Sequence, residues 1–211
     1  MPALSTLPLF ALASLVVLLI PGPSILYIVA RSSTQGPRAG LVSVVGVHAG
    51  SLVHVVAATV GLSALVMASA VAFTGLKMVG GAYLIYLGIR TILDRGEHVA
   101  GVVTPRSLRR LFVDGFIVDV LNPKVALFFL AFLPQFVDPG RGPVWVQTLV
   151  LGLLYVALGL VTDSGYALVG AGIGRRVQAH VAHRRRSRYV EGGLLIGLGV
   201  TSLALPHRVA D

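Results

Sequence analysis

The chain has no cysteine, which excludes disulfides, thiolate metal centres and thiol redox chemistry. Charge is scarce as well. Asp, Glu, Lys and Arg make up 12% of the 211 residues, where an average soluble domain carries about 25%. No polar stretch is long enough to form a separate soluble domain. The sequence lacks an H-E-x-x-H helix, a G-x-S-x-G elbow and a G-x-x-x-x-G-K-[ST] loop. Without that last motif, any pumping must draw on an ion gradient rather than on ATP. Met1–Pro8 has no Lys or Arg, and no A-x-A-like site follows the first apolar run. That run therefore reads as a retained span and not as a cleavable signal.

What is present is apolar. Hydrophobic residues reach 55% and the mean hydropathy is +0.88, the composition of an integral membrane protein. Six segments each contain the roughly 17 residues needed to cross the hydrocarbon core. They are Leu7–Ala30, Ala39–Met67, Phe73–Leu93, Leu111–Phe136, Val144–Ile173 and Tyr189–Leu205. Their continuous apolarity predicts helices and not the alternation of a membrane β-barrel.

The net charge is +9, but the basic residues sit in short connections and are not interleaved with exposed aromatics. Contact with anionic lipid on one side is the expected reading, and no nucleic-acid partner is expected. The first, third and fifth connections hold Arg31 and Arg38; Arg90, Arg95, Arg106, Arg109 and Arg110; and Arg175, Arg176, Arg184, Arg185, Arg186 and Arg188. Those 13 face only Lys77, Arg141 and Arg208 on the other side. The bias predicts odd connections in the cytoplasm and both termini outside.

Two spans are broken near their middles, the first by Pro21-Gly22-Pro23 and the fourth by Asn122-Pro123-Lys124. Proline frees backbone groups that hydrocarbon cannot satisfy, so each break needs protein or a wet cavity around it. Matched breaks in two halves mark the binding site of a secondary transporter. Other features also repeat. Leu9-Phe10 precedes Pro21 by the interval that separates Leu111-Phe112 from Pro123, and Gly81 and Gly88 recur as Gly192 and Gly199. Because three spans is an odd number, such a repeat is inverted. The expected fold is an all-α membrane protein of six transmembrane helices, built as two inverted three-helix repeats over about residues 1–98 and 106–211, with broken first and fourth helices. Gly46-x-x-x-Gly50 and Gly193-x-x-x-Gly197 allow close helix approach, within the chain in preference to a dimer face.

Each break offers a half-helix start. Gly22 precedes Pro23 and Asn122 precedes Pro123, and proline suits the first helical turn. Amide groups and the positive dipole end can then hold a carboxylate, with the Ser24 hydroxyl beside them. Lys124 lies deep in its span, where an ionised amine needs a partner or a wet cavity. It can bind a substrate carboxylate or act as a fixed counter-ion to Asp119 or Asp163. Either aspartate can accept an ammonium group or carry a proton. Asp114, nearer the interface, is expected to be solvated. His48 and His54 are six apart and do not share a helix face well, so packing or hydrogen bonding between helices is expected of them. His180 and His183 join the Arg-rich connection, as part of a solvated inner surface.

Together these residues resemble the lysine exporter family of amino-acid efflux proteins, including its homoserine/threonine-efflux branch. Pro21-Gly22-Pro23 is similar to the family's PGP signature, and Gly36-Pro37-Arg38-Ala39-Gly40-Leu41 to its G-x-R-A-G-L segment. Gly80-Gly81-Ala82-Tyr83-Leu84-Ile85-Tyr86-Leu87-Gly88 resembles its third span. Leu121-Asn122-Pro123-Lys124, followed by Phe128-Phe129-Leu130-Ala131-Phe132-Leu133-Pro134-Gln135-Phe136, resembles its fourth. Two positions depart from the pattern: Ser24 stands where the family often has Asn or Asp, and Asp119 where it often has Asn.

The resemblance implies a non-enzymatic exporter of an amino acid or close derivative in a bacterial inner membrane. Proton antiport is the working expectation for its energy source, and no cofactor is expected. A homodimer is a candidate assembly, since a short chain needs help to enclose a path. Two other classes remain on the sequence alone: a divalent-cation exporter using His48, His54 and the carboxylates, and a membrane enzyme or assembly factor without translocation.

Overall fold

The computed structural model describes residues 6–69 and 105–173 continuously, together with isolated positions at 2, 71–93, 196 and 200. The expected third and sixth spans, the Arg-rich fifth connection with His180 and His183, and the Gly193-x-x-x-Gly197 spacing fall, apart from those isolated positions, outside the described residues.

Every element among the described residues is helical. In chain order they are α1 (Thr6–Leu19), α2 (Pro23–Gln35), α3 (Pro37–Ala68), α4 (Leu108–Val120), α5 (Pro123–Leu127) and α6 (Val144–Ile173). Helix α5 continues through a π turn, Phe128–Phe132, and a 3-10 turn, Leu133–Phe136. Helices α3 and α6 are each long and apolar enough to cross a membrane. The pairs α1–α2 and α4–α5 pass the same test only jointly and bend by 56° and 47° at their breaks. The described residues therefore hold two clear spans, or four if each bent pair is one.

The breaks follow from local chemistry. Pro21 has no N–H to extend the α1 ladder. Gly22 is extended (φ −121°, ψ −173°), and Pro23 opens α2 at a position where its missing N–H costs nothing. At the other break the Asn122 side chain accepts from the Lys124 N–H at 3.0 Å, a normal N-cap, and Pro123 opens α5. Further along, Pro134 cannot donate to the helix behind it. The ladder widens, and Leu133 N–H bonds to Phe128 C=O, one residue further back than in an α-helix.

The two long helices begin alike. Gly36 (φ 85°) precedes Pro37 and α3; Gly142 (φ 116°) precedes Pro143 and α6. Among the described residues these are the two positions of positive φ. A left-handed residue turns the chain back on itself, glycine accepts that conformation without a Cβ clash, and the following proline presets the new helix.

Glycines set the crossing of α3 and α4. A Cβ on Gly46 would collide with the Phe112 carbonyl, and one on Gly50 would lie 2.8 Å from Phe116 O. From the other side, a Cβ on Gly115 would lie 2.9 Å from Ser43 O. The Gly46-x-x-x-Gly50 spacing is thus used for packing within the chain, as expected. The main apolar cluster joins α1, α3, the α5–π segment and α6 around Phe10, Phe128, Phe129, Phe132, Leu151 and Tyr155. The outer faces stay apolar: Val56, Val60 and Met67 of α3 and Val161, Leu168 and Val169 of α6 are exposed, as expected of helices that meet lipid.

Candidate functional site

Both breaks end in the same place. Ser24 Oγ donates to Asp119 Oδ1 at 2.9 Å and accepts from Asn122 Nδ2 at 2.8 Å. Ser51 of α3 donates to the other carboxylate oxygen of Asp119 at 2.7 Å. The carboxylate is 1% exposed as a residue. Two hydroxyl donors offset part of the cost of holding it there.

Three carbonyls at the breaks take side-chain partners. Tyr166 of α6 donates to Leu19 C=O at 2.8 Å, and Lys124 Nζ donates to Ile20 C=O at 2.6 Å. A cation at the carboxyl end of α1 meets the negative end of that helix dipole. The Lys124 stem lies over Gly22, where an added Cβ would come within 3.3 Å of Lys124 Cδ. At the second break, His54 Nε2 lies 3.2 Å from Asp119 C=O, with its ring stacked on Phe129. Each long helix thus sends a polar tip to one break, α6 through Tyr166 and α3 through His54.

Next to this network is a second buried pair. His48 Nε2 and Asp163 Oδ2 are 3.1 Å apart, on α3 and α6. The ring fits because residue 159 is glycine: a Cβ there would overlap His48 Cε1. Tyr155, Gly159 and Asp163 fall four apart and form one stripe of α6 facing α3.

A small cleft, open to solvent at its mouth, joins the two networks. Its polar lining is Ser24, His48, Ser51, Asp119, Asn122, Lys124, Tyr155 and Asp163, with the Gly22 backbone, and its walls include Val17, Leu18, Ile25, Val47 and Val125. The amides of Ser24 and Ile25 precede the first ladder bond of α2, which runs from Leu26 N–H to Gly22 C=O at 2.9 Å. Gly22 makes no side-chain cap. That end is the more open donor of the two, because at the second break Asn122 already takes the Lys124 amide.

The structure sorts the expected site residues. Gly22, Ser24, Asp119, Asn122, Lys124 and Asp163 line the cavity. Pro21, Pro23 and Pro123 do not; they shape the backbone. Lys124 Nζ bonds to the Ile20 carbonyl, while Asp119 takes Ser24 and Ser51 and Asp163 takes His48. Asp114 is not simply solvated. Arg106 and Arg110 both pair with it, the latter at 3.1 Å, and its side chain is 12% exposed. His48 and His54 do bond between helices, and among the described residues no three His, Cys, Asp or Glu side chains gather as possible metal ligands.

Sequence reasoning missed Ser51, Tyr155 and Tyr166. Ser51 had a signal, since His48 and Ser51 are three apart in an apolar helix and so share a face. The tyrosines had none, because a phenol in an apolar run looks like packing.

Comparison with known proteins decides the family. The family model of LysE type translocators matches residues 15–205. The chain belongs to that family. The translocator is 32% identical over 192 residues to an uncharacterised membrane protein of Vibrio cholerae, covering 90% of this chain and 93% of that one. It is 34% identical over 159 residues to the homoserine/homoserine lactone efflux protein of Salmonella typhimurium, covering 75% and 77%. It is 25% identical over 193 residues to the leucine efflux protein of Salmonella choleraesuis, covering 90% and 88%. No solved structure matches the translocator.

Proposed function

We propose that this translocator exports an amino acid or a close derivative from the cytoplasm across a bacterial inner membrane, in exchange for a proton. The observation that carries the reading is the cavity at the meeting of the two breaks, where Lys124 and the uncapped start of α2 stand with two buried carboxylates. A zwitterion needs both signs of partner within a few ångströms. Its carboxylate would meet the α2 amides, the Ser24 hydroxyl and Lys124. Asp119 or Asp163 would receive its ammonium or the coupling proton. The apolar wall of Val17, Leu18, Ile25 and Val125 would receive an uncharged side chain. Relatives named for efflux of homoserine, homoserine lactone and leucine support cargo of that size and polarity.

Six spans in two inverted halves, with both termini outside, remain the arrangement this function needs. It is supported by the 13-to-3 distribution of basic residues, by the paired Gly-Pro starts of α3 and α6, and by the reciprocal capping of each break from the opposite half.

The test is efflux of labelled leucine and homoserine from loaded proteoliposomes, with the other amino acids as competitors, with and without an imposed pH gradient. Saturable efflux that quickens when the receiving side is acidic is expected. Efflux indifferent to the gradient removes the coupling, and no vectorial movement of any amino acid removes the export reading.

A further inference from the structure

Among the described residues, four buried side-chain atoms lack a hydrogen-bond partner: Ser14 Oγ, Thr148 Oγ1, His48 Nδ1 and Asp163 Oδ1. The two hydroxyls lie away from the cavity. The other two atoms belong to one pair whose remaining atoms, Nε2 and Oδ2, already face each other at 3.1 Å. Both residues line the cavity, and each is under 5% exposed. Orphaned polar atoms are rare and costly in a dry interior and mark where something else binds.

The chemistry of the pair defines what fits. With Asp163 ionised, Nε2 carries the proton that bonds to Oδ2, and neutral His48 then presents Nδ1 as a bare lone pair. Asp163 Oδ1 is a second bare acceptor. Two unpartnered acceptors on one buried pair, with one net negative charge between them, suit a donor cation. Asp119 does not offer the same, because both its oxygens are occupied by serine hydroxyls.

We propose that the His48–Asp163 pair is the exchange point of the translocator, where the substrate ammonium and the coupling proton compete for the same acceptors. This rests on the export reading above and names the residues that couple it. Facing the cytoplasm, neutral His48 and anionic Asp163 bind the ammonium. Facing outward, a proton from the medium adds to Nδ1. The pair becomes an imidazolium on a carboxylate, without net charge, and the ammonium leaves. Back on the cytoplasmic side Nδ1 gives up that proton, which balances the exchange. The charged and titratable groups lining the cavity around His48 are Asp119 from α4, Lys124 from α5, and Tyr155 and Asp163 from α6; α2 presents Ser24. With His48 neutral these sum to one negative charge, and protonation brings the sum to zero.

The experiment compares leucine and homoserine with their 2-hydroxy analogues, which lack the ammonium group, as inhibitors of wild-type transport in proteoliposomes between pH 5.5 and 8. Competition with a proton weakens the amino acids as inhibitors as the pH falls, while the hydroxy acids, which bring no ammonium group, do not weaken. Equal shifts for both classes overturn the proposal with no mutant needed. In His48→Gln, the stimulation of efflux by a pH gradient falls to a ratio near one, whatever the absolute rate. A variant that stays gradient-driven overturns the pair's role and leaves amino-acid export standing. A wild type that ignores the gradient, or moves neither amino acid, shows that the export or antiport reading failed first, and the proposal falls with it.

Discussion

Ser24 and Asp119, 95 residues apart, are joined by a 2.9 Å hydrogen bond that ties the first break to the second. Asn122 closes the triangle through the same hydroxyl at 2.8 Å. The two half-helices are thus fastened to each other beside the cavity, and movement of either is felt by the other.

Replacing Asp119 by Asn puts an amide N–H₂ where two hydroxyls donate. At least one donor is left without an acceptor, at about 1–3 kcal/mol. Asp119→Asn should reach the membrane at near wild-type level and lose at least tenfold in transport. The check is initial efflux rate normalised to protein in the vesicle.

Lys124 should matter for acids over esters. In Lys124→Gln, the half-saturating leucine concentration should rise about tenfold, equivalent to about 1.4 kcal/mol. The wild-type preference for leucine over leucine methyl ester as a competitor should shrink towards one. Competition curves for the two compounds decide it; an unchanged preference shows that the carboxylate binds elsewhere.

The α3–α4 crossing predicts a graded series. Gly50→Ala must push Phe116 and Asp119 aside, and overpacking of that kind costs about 1–3 kcal/mol. Gly61→Ala, on the same helix with nothing within 4 Å of the added Cβ, should be neutral or slightly stabilising. Thermal melting in detergent separates the two.

The Gly-Pro starts make a paired prediction. Gly36→Ala and Gly142→Ala each force a Cβ into a positive-φ, extended-ψ conformation, at about 1–3 kcal/mol apiece. If the halves are repeats, the two melting shifts should be similar and close to additive, since the sites have no shared partner. A large difference between them argues against equivalent roles.

Phe10 has no exposed surface and touches the rings of Phe128, Phe132 and Phe136, at 5.8, 6.3 and 5.2 Å between centroids. Phe10→Ala should cost about 3–5 kcal/mol. Protein that survives extraction should keep its substrate preference, because Phe10 does not line the cavity. Melting and competition profiles on the same preparation check both parts.

The residue order was enough for the membrane class, the family and the two breaks, because length, apolarity and proline act locally. A proline stops a ladder whatever surrounds it, and a run of some 20 apolar residues crosses a bilayer on length alone. Helix α6 falls on the expected segment, Val144–Ile173, for that reason. Partnership was not legible. Lys124 reaches the Ile20 carbonyl, 104 residues away, and Asp163 meets His48 across 115. Neither choice follows from spacing, since three nearby groups had suitable charge. It is decided by which helices touch, and that depends on Gly50 and Gly159 letting backbone and ring come close. Chain chemistry supplied the charges and the interruptions; only the packed helices selected which charge answers which.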